Sequence, residues 1–354
     1  MKDFKIQTEQ FADIRILRYQ VPGFKELNLQ KKKLVYFLSQ AALSGRDIIY
    51  DQNYKYNLLI RSNLENVYLT YSGDKNSIAF KAFLVYLKRI WFSNGIHHHY
   101  AMDKFYPICS QDDFKNLLLG SDQAKFKFFD KESASVFVER FCQLVYDTEK
   151  GAKRLSLDTE KDIVIESACN FYENVNQAEA EAFYSNQKVP DSTKPISLGL
   201  NSKLIKENGE LKELTYKLGG HYSAAIEKII FYLEKALPLA ENKEQQQAFQ
   251  KLIDFYKSGK LEDFDAYSLA WLEDTKSTVD MIHGFIETYG DPLGRKATYE
   301  AIVSIRDEEA SKRAELISNN ANWFEQNSTT NKAHKKENEN KARKIRSRKI
   351  LQSS

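Results

Sequence analysis

Asn208-Gly209 sits between Leu204-Ile205 and the run Leu211-Lys212-Glu213-Leu214-Thr215-Tyr216. An Asn-Gly pair between two such runs accepts the positive φ angles of a type I′ turn, the turn whose twist suits a two-stranded antiparallel hairpin. The middle of the chain therefore reads as antiparallel strand. Ile196, Leu198 and Leu200 alternate with Ser197, Gly199 and Asn201, which extends the strand reading upstream, and Gly219-Gly220 closes it.

The flanks read differently. Leu34, Phe37, Leu38 and Ala41 share one face of a helix from Leu34 to Leu43, and Phe83, Leu84, Leu87 and Trp91 do so from Phe80 to Trp91. Such stripes belong to helices that pack on a core. Ala225, Ile226, Ile229, Ile230, Leu233 and Leu237 mark another helix, with Ser223 at the N-cap position. A further helix carries Phe249, Leu252, Ile253 and Tyr256 and ends at Gly259. Val303, Ala310, Ala314, Ile317, Ala321 and Phe324 keep helical spacing, which predicts a last helix from about Tyr299 to Phe324. Ile14 to Tyr19 reads as a strand ended by Pro22-Gly23. The expected class is α+β, mostly helical with a small antiparallel β region. No internal repeat is present.

At 354 residues, 42% apolar and 13% aromatic, the chain is long and apolar enough for a buried core in two lobes. No run of about 18 apolar residues predicts a membrane span, and Met1 to Gln7 lacks the apolar centre of a signal peptide. Cys109, Cys142 and Cys169 form neither a disulfide framework nor a C-x-x-C knuckle. A reducing cytoplasm is the expected location. The net charge of +3 hides an asymmetry: Asn331 to Ser354 holds nine Lys+Arg and two Glu, a net of +7, so the rest of the chain carries −4. A basic body surface for nucleic acid is not expected, and the tail lacks the aromatics that stack on bases.

Six histidines are present: His97, His98, His99, His221, His283 and His334. A zinc site needs three or four converging ligands. His97 and His99 share one side of an extended segment, with Cys109 nearby in sequence, but a further ligand is missing and a solvated polar turn is the better reading. The nucleophile elbow G-x-S-x-G, the Walker A loop and G-x-G-x-x-G are all absent. Glu287, Tyr289 and Asp291 stand at two-residue steps before Pro292 and Gly294. In an extended segment they share one side, a ledge where carboxylates bind an ammonium and a phenol binds an oxyanion. A solvated edge strand and turn is the plainer alternative.

Several segments resemble one family. Gly284-Phe285-Ile286-Glu287-Thr288-Tyr289-Gly290-Asp291-Pro292-Leu293-Gly294 is similar to a substrate-cleft motif of the dipeptidyl-peptidase III family, zinc peptidases that remove dipeptides from peptide N-termini. Gln20 to Phe24, Leu38 to Asp47, Val85 to Tyr100 and Gly219 to Ser223 resemble further parts of its bacterial members. The likeness runs from about Phe11 to Asn327. It implies a two-lobed fold around a wide cleft, in which one lobe mixes helices with a small β-barrel and the other is helical and carries zinc. It implies residue roles as well. Glu287 matches the glutamate that holds the substrate ammonium. Tyr289 matches the tyrosine that hydrogen-bonds the scissile carbonyl in the transition state. Glu300 matches a cleft carboxylate, and Tyr100 falls where an aromatic lines the cleft. Thr298 departs from a Glu found there in some members.

The family's zinc motif H-E-x-x-G-H, its E-E-x-x-A-E-type motif and its G-I-N-x-P-N strand occur nowhere in the 354 residues. The expectation is a truncated family member, inactive alone, with no metal of its own. Its partners would be oligopeptides, bound weakly, and a complementing C-terminal half. The alternative is a peptide-binding pseudo-enzyme or partner of a full-length copy. The expected divisions are a non-zinc lobe over 1–298, the first helix of the zinc lobe over 299–326, and a basic tail over 327–354. From Asn331 on, Ile345, Ile350 and Leu351 are the only large apolar residues, too few to offset ordering entropy. That tail is expected to be disordered, with the composition of an A-rich coding stretch read out of frame.

Overall fold

A computed structural model describes residues 4–187, 195–335 and 348–353. In chain order the elements begin with β1 (Gln7–Phe11), β2 (Ile14–Leu17), α1 (Leu29–Ser44), α2 (Arg46–Asn53), α3 (Asn57–Thr70) and α4 (Ile78–Ser93). There follow α5 (Gln111–Leu119), α6 (Ala134–Tyr146), α7 (Ile163–Glu166), β3 (Tyr172–Glu173), α8 (Gln177–Ser185), β4 (Ser202–Glu207) and β5 (Glu210–Thr215). The chain continues through α9 (Ser223–Ala236), α10 (Lys243–Ser258), α11 (Leu261–Glu273), β6 (Val279–Phe285), β7 (Tyr299–Arg306), α12 (Glu308–Asn319), α13 (Ala321–Asn327) and β8 (Arg348–Ser353). The class is as expected: mostly helical, with a small, chiefly antiparallel β region.

The chain divides into two compact units, neither continuous in sequence. The first gathers Met1–Tyr19, Gly45–Ile226 and Phe285–Tyr299; the second gathers Gln20–Ser44, Glu227–Gly284 and Glu300–Ser354. The span 1–298 thus contains segments of both units. The chain passes between the units several times, and periodicity within a segment carries no record of which unit it joins.

In the first unit, α3 to α6 bury an aromatic-rich core around Leu64, Phe83, Leu87, Phe114, Phe137 and Phe141. The Phe114 and Phe141 rings stack with centroids 6.3 Å apart. The helices start where a side chain satisfies a free backbone N–H. Ser77, Ser110 and Ser133 accept from Phe80, Asp113 and Val136, and Asn176 forms a capping box with Glu179 at the head of α8. Beyond the end of α6, the buried Lys104 ammonium donates to the carbonyls of Leu144, Asp147 and Lys150 at 2.9, 2.6 and 3.2 Å. A smaller sheet orders β3-β4-β5, with β3 parallel and β5 antiparallel to β4. Its hairpin closes at Glu207↔Glu210 around Asn208 (φ 52°) and Gly209 (φ 85°), as the Asn-Gly pair predicts. The upstream strand reading fails: Leu198 to Asn201 is turn, because Gly199 takes φ 89° and the ladder starts only at Ser202. Ser223 is the first residue of α9, not its cap; Tyr222 before it has φ 60°, and the Ser223 hydroxyl accepts from the Gly219 amide at 2.8 Å.

In the second unit, Leu34 and Leu38 of α1, Ile229 and Leu233 of α9, and Leu252 and Tyr256 of α10 are buried. Gly259 ends α10 in the left-handed conformation. The residues before β6 are fixed by polar pairs. The Val279 amide donates to Glu241 Oε1 at 2.6 Å, and Lys31 pairs with Glu241 at 2.9 Å. The Gln245 side chain donates to the Val279 carbonyl at 2.8 Å. The predicted helix from Tyr299 is corrected. Residues 299–306 form β7, with Tyr299, Ala301, Val303 and Ile305 buried at a period of two, and helix begins only at Glu308, capped by Asp307. The helical spacing from Ala310 onward was real, but Val303 fits both periods. The tail is corrected in part: residues 348–353 form β8, antiparallel to β7 from Ile302↔Ser353 to Arg306↔Arg348. An unpaired strand edge on β7 offers backbone partners that composition alone does not reveal. Residues 336–347 of that tail lie outside the described residues. Among the described residues no helix is long and apolar enough to cross a membrane.

Candidate functional site

The segment carrying Glu287 and Tyr289 belongs to the first unit and is fixed from both ends. The Ile286 amide donates to the Thr298 carbonyl at 3.1 Å, and the Thr298 amide returns to the Glu287 carbonyl at 2.9 Å. The Asp291 amide then donates to the Thr288 carbonyl at 3.0 Å, closing a turn with Tyr289 and Gly290 at its head. The turn interrupts the extended ledge, so Asp291 departs from the expected substrate-facing row. It is buried, and its Oδ2 accepts from the Arg295 and Lys296 amides, each at 2.7 Å, and from the Tyr172 hydroxyl at 3.1 Å. Burial pushes its carboxyl upward, against the backbone amides that hold it down. Asp291 builds the turn from within. Glu287 and Tyr289 remain exposed, and among the described residues neither side chain has a hydrogen-bonding partner.

Deeper in the same unit, Lys296 is fully buried. Its ammonium donates to the Tyr184 hydroxyl, to Ser202 Oγ at 2.9 Å and to Glu213 Oε1 at 3.4 Å. Burial lowers Lys296 to about 8, with Glu213 opposing that fall. Three consecutive polar residues at the end of α2 hold the surroundings. Asp51 accepts from the Tyr222 hydroxyl at 2.6 Å and from Asn170 at 2.9 Å. Gln52 donates to the Ala297 carbonyl at 3.1 Å and accepts from the Tyr299 amide at 2.8 Å. Asn53 accepts from Arg154 at 3.2 Å. Sequence reasoning passed over Asp51-Gln52-Asn53. The signal was available: polar residues stand next to Ile48 and Tyr50 on a short helical stretch, where buried polar groups must find partners.

The remaining expected residues are placed as follows. Tyr100 is exposed in the loop between His97 and Lys104, with its ring 4.4 Å from that of His99. Glu300 is half-buried on β7 and belongs to the second unit. Thr298 serves through its backbone ladder and through its hydroxyl, which donates to the Glu287 carbonyl at 3.1 Å.

The donors present do not fit zinc. His97 Nε2 lies 2.7 Å from the Gly151 carbonyl, and burial lowers its pKa to about 4. His98 Nδ1 accepts from the Tyr100 and Ala101 amides at 3.1 and 3.0 Å. Cys109 faces the Tyr146 hydroxyl, and His283 lies 2.8 Å from the Tyr256 hydroxyl. Among the described residues no group of three or more His, Cys, Asp or Glu is placed to hold a metal ion.

Residues 167–338 match the model of peptidase family M49. Dipeptidyl peptidase 3 of Rattus norvegicus is 24% identical over 261 residues, covering 67% of this chain and 35% of the relative. The structure of DPP III from Caldithrix abyssi superposes with a TM-score of 0.59 at 20% identity, covering 89% of this chain and 47% of that one. The structure of dipeptidyl-peptidase III from Corallococcus sp. strain EGB gives 0.59 at 17% identity, covering 93% and 49%. The chain thus spans about a third of that curated relative and about half of each solved one. Mostly helical with a small β region, the chain has the fold of one lobe of the two-lobed dipeptidyl-peptidase III structures, and residues 167–338 within it match peptidase family M49.

Proposed function

We propose that these residues form the substrate-recognising part of a dipeptidyl-peptidase III-like fold, which engages peptide N-termini and does not hydrolyse them alone. The observation that carries this reading is the pair Glu287 and Tyr289, exposed and unpartnered on a segment whose backbone is locked by Thr298 and by the buried Asp291. Such preorganisation lowers the ordering cost of binding. The Glu287 carboxylate supplies the counter-charge for a peptide ammonium. The Tyr289 hydroxyl donates to the carbonyl oxygen two residues on, the same bond that would strengthen as that oxygen gains charge. Tyr100 adds an aromatic surface in the same unit.

In the family that this chain resembles, zinc activates the attacking water. The zinc motif is absent from these 354 residues, and His97 and His283 are engaged by the Gly151 carbonyl and the Tyr256 hydroxyl. The proposed role is therefore binding, with hydrolysis left to whatever supplies a zinc lobe. A complementing half is favoured by one observation in the second unit: Leu316, Ile317, Trp323 and Phe324 of α12 and α13 are exposed at 67, 54, 60 and 49%. An apolar stripe of that kind calls for a covering surface. Calorimetric titration with a free peptide and its N-acetylated form tests the binding role. The free form should bind and the acetylated form should lose at least ~10-fold, a preference removed by Glu287→Gln. Equal affinity for the two peptides would overturn it.

A further inference from the structure

Arg154 is a half-buried cation with no anion beside it. Its Nε and Nη2 donate to the thioether sulfur of Met102 at 3.0 and 2.7 Å, and its Nη1 donates to Asn53 Oδ1 at 3.2 Å. A sulfur is a weak acceptor, and an amide oxygen carries no net charge. The ionisable groups that act on its charge are the phenol of Tyr289 and the thiol of Cys169, neither of them a carboxylate, and burial works against the cation. Buried guanidinium groups are ordinarily paired with carboxylate. Here Nη1 and Nη2 each keep one N–H with no acceptor among the described residues. Two N–H groups on one planar guanidinium are thus left for an acceptor, and a carboxylate is the acceptor that such a group engages best.

The backbone holds this guanidinium in place. The Arg154 amide donates to the Met102 carbonyl at 2.8 Å, and the Lys104 amide donates to the Ala152 carbonyl at 2.9 Å. The loop from His97 to Lys104, which carries Tyr100, is therefore laced to the segment that carries Arg154. Met102 takes φ 65°, a conformation that a non-glycine residue adopts at a cost, with its sulfur on the guanidinium. Asn53 is itself anchored by donating to the Asn94 carbonyl at 3.0 Å.

We infer that Arg154 is a carboxylate-binding residue of the unit that carries Tyr289, and that the ligand it takes is the carboxylate of a short peptide. This rests on the peptide-recognition reading above for the identity of the ligand, though not for the anion site itself. Glu287 then answers the ammonium and Arg154 the carboxylate, so the site selects short, free-ended peptides over capped ones.

The test is NMR titration of ¹⁵N-labelled protein, following the Arg154 Nε–H, first with sodium acetate and then with di-, tri- and tetra-alanine and their C-terminal amides. Sodium chloride at matched ionic strength is the control. Acetate should shift the Arg154 signal saturably, and at least one peptide acid should bind ~10-fold tighter than its amide. Arg154→Lys, which keeps the charge without the planar guanidinium, should lose most of that preference, and Arg154→Met all of it. If Arg154→Met does not fold, the acid-to-amide ratio in the unaltered protein and in Arg154→Lys decides. No response to acetate overturns the anion site. A response to acetate with equal binding of acids and amides overturns the assignment of its ligand. A response to acetate with no peptide bound in any form overturns that assignment too, and with it the peptide-recognition reading.

Discussion

Tyr299 occupies the space that a side chain at position 45 would need: a Cβ on Gly45 would lie 2.0 Å from Tyr299 Cζ. Gln52, one helix away in sequence from that glycine, accepts from the Tyr299 amide at 2.8 Å and donates to the Ala297 carbonyl at 3.1 Å. Gly45, Gln52 and Tyr299 thus fix the strand that returns from Tyr289. Gly45→Ala should destabilise by about 1–3 kcal/mol through overpacking. Gln52→Ala should cost about 2–4 kcal/mol by leaving buried backbone groups unsatisfied. Urea unfolding followed by tyrosine fluorescence measures both; midpoints unchanged from the parent would contradict the arrangement.

Gly209 offers the contrasting case. Gly45 takes φ −90°, whereas Gly209 takes φ 85°, and nothing lies within 4 Å of a Cβ added there. Only backbone strain opposes a substitution, so Gly209→Ala should cost about 1–2 kcal/mol. Combined with Gly45→Ala, its effect should be additive. A larger loss at 209 than at 45 would reverse the assignment of which glycine is held by packing.

Acid should unfold the protein through its buried histidines. Burial lowers His97 to about 4 and His283 to about 3. With both folded values below the ordinary 6.5, the unfolded chain takes up protons first. Stability is then full above pH 6.5 and falls as the pH drops toward 4, by about 1.4 kcal/mol per pH unit for each histidine. Asp291, raised by burial, acts in the opposite sense over its own range. Urea midpoints between pH 7.5 and 5 should fall, and fall less steeply in His97→Gln. A flat profile would show that the histidines are solvated.

On the alkaline side two lowered lysines act in the same sense as the histidines. Burial lowers Lys104 and Lys296 to about 8. Between pH 8 and 10 the unfolded chain holds these protons while the folded chain releases them, so stability should rise with pH across that window. Above pH 10 the buried Tyr172, Tyr184 and Tyr216, all raised by burial, should turn the trend downward. Thermal melts from pH 7.5 to 10.5 read the maximum. A steady fall from pH 8 would contradict the burial of the two lysines.

Local chemistry made parts of this fold legible in the sequence. Asn208-Gly209 marks its hairpin because few other pairs tolerate the turn, and Gly259 ends α10 for the same reason. The stripes of α1 and α4 are visible because their buried positions, among them Leu34, Leu38, Phe83 and Leu87, recur at helical spacing. Residues 299–306 were misread because Val303 satisfies both the helical and the strand period, and only the pairing with β8 separates them. Asp291 was misread because its position in the row with Glu287 and Tyr289 says nothing of the turn that buries it. Arg154 was invisible: its environment is assembled from Asn53, Met102 and Tyr289, far apart in sequence.

The central claim is that these 354 residues recognise peptide without cleaving it. Zinc content by elemental analysis, with hydrolysis of a dipeptidyl-arylamide assayed on the same purified sample, tests it most directly. The account predicts far less than one zinc per chain and no turnover, including after incubation with added zinc. One zinc per chain with turnover would mean that histidines placed here in hydrogen bonds to Gly151 and Tyr256 rearrange into a metal site, and the claim would fail.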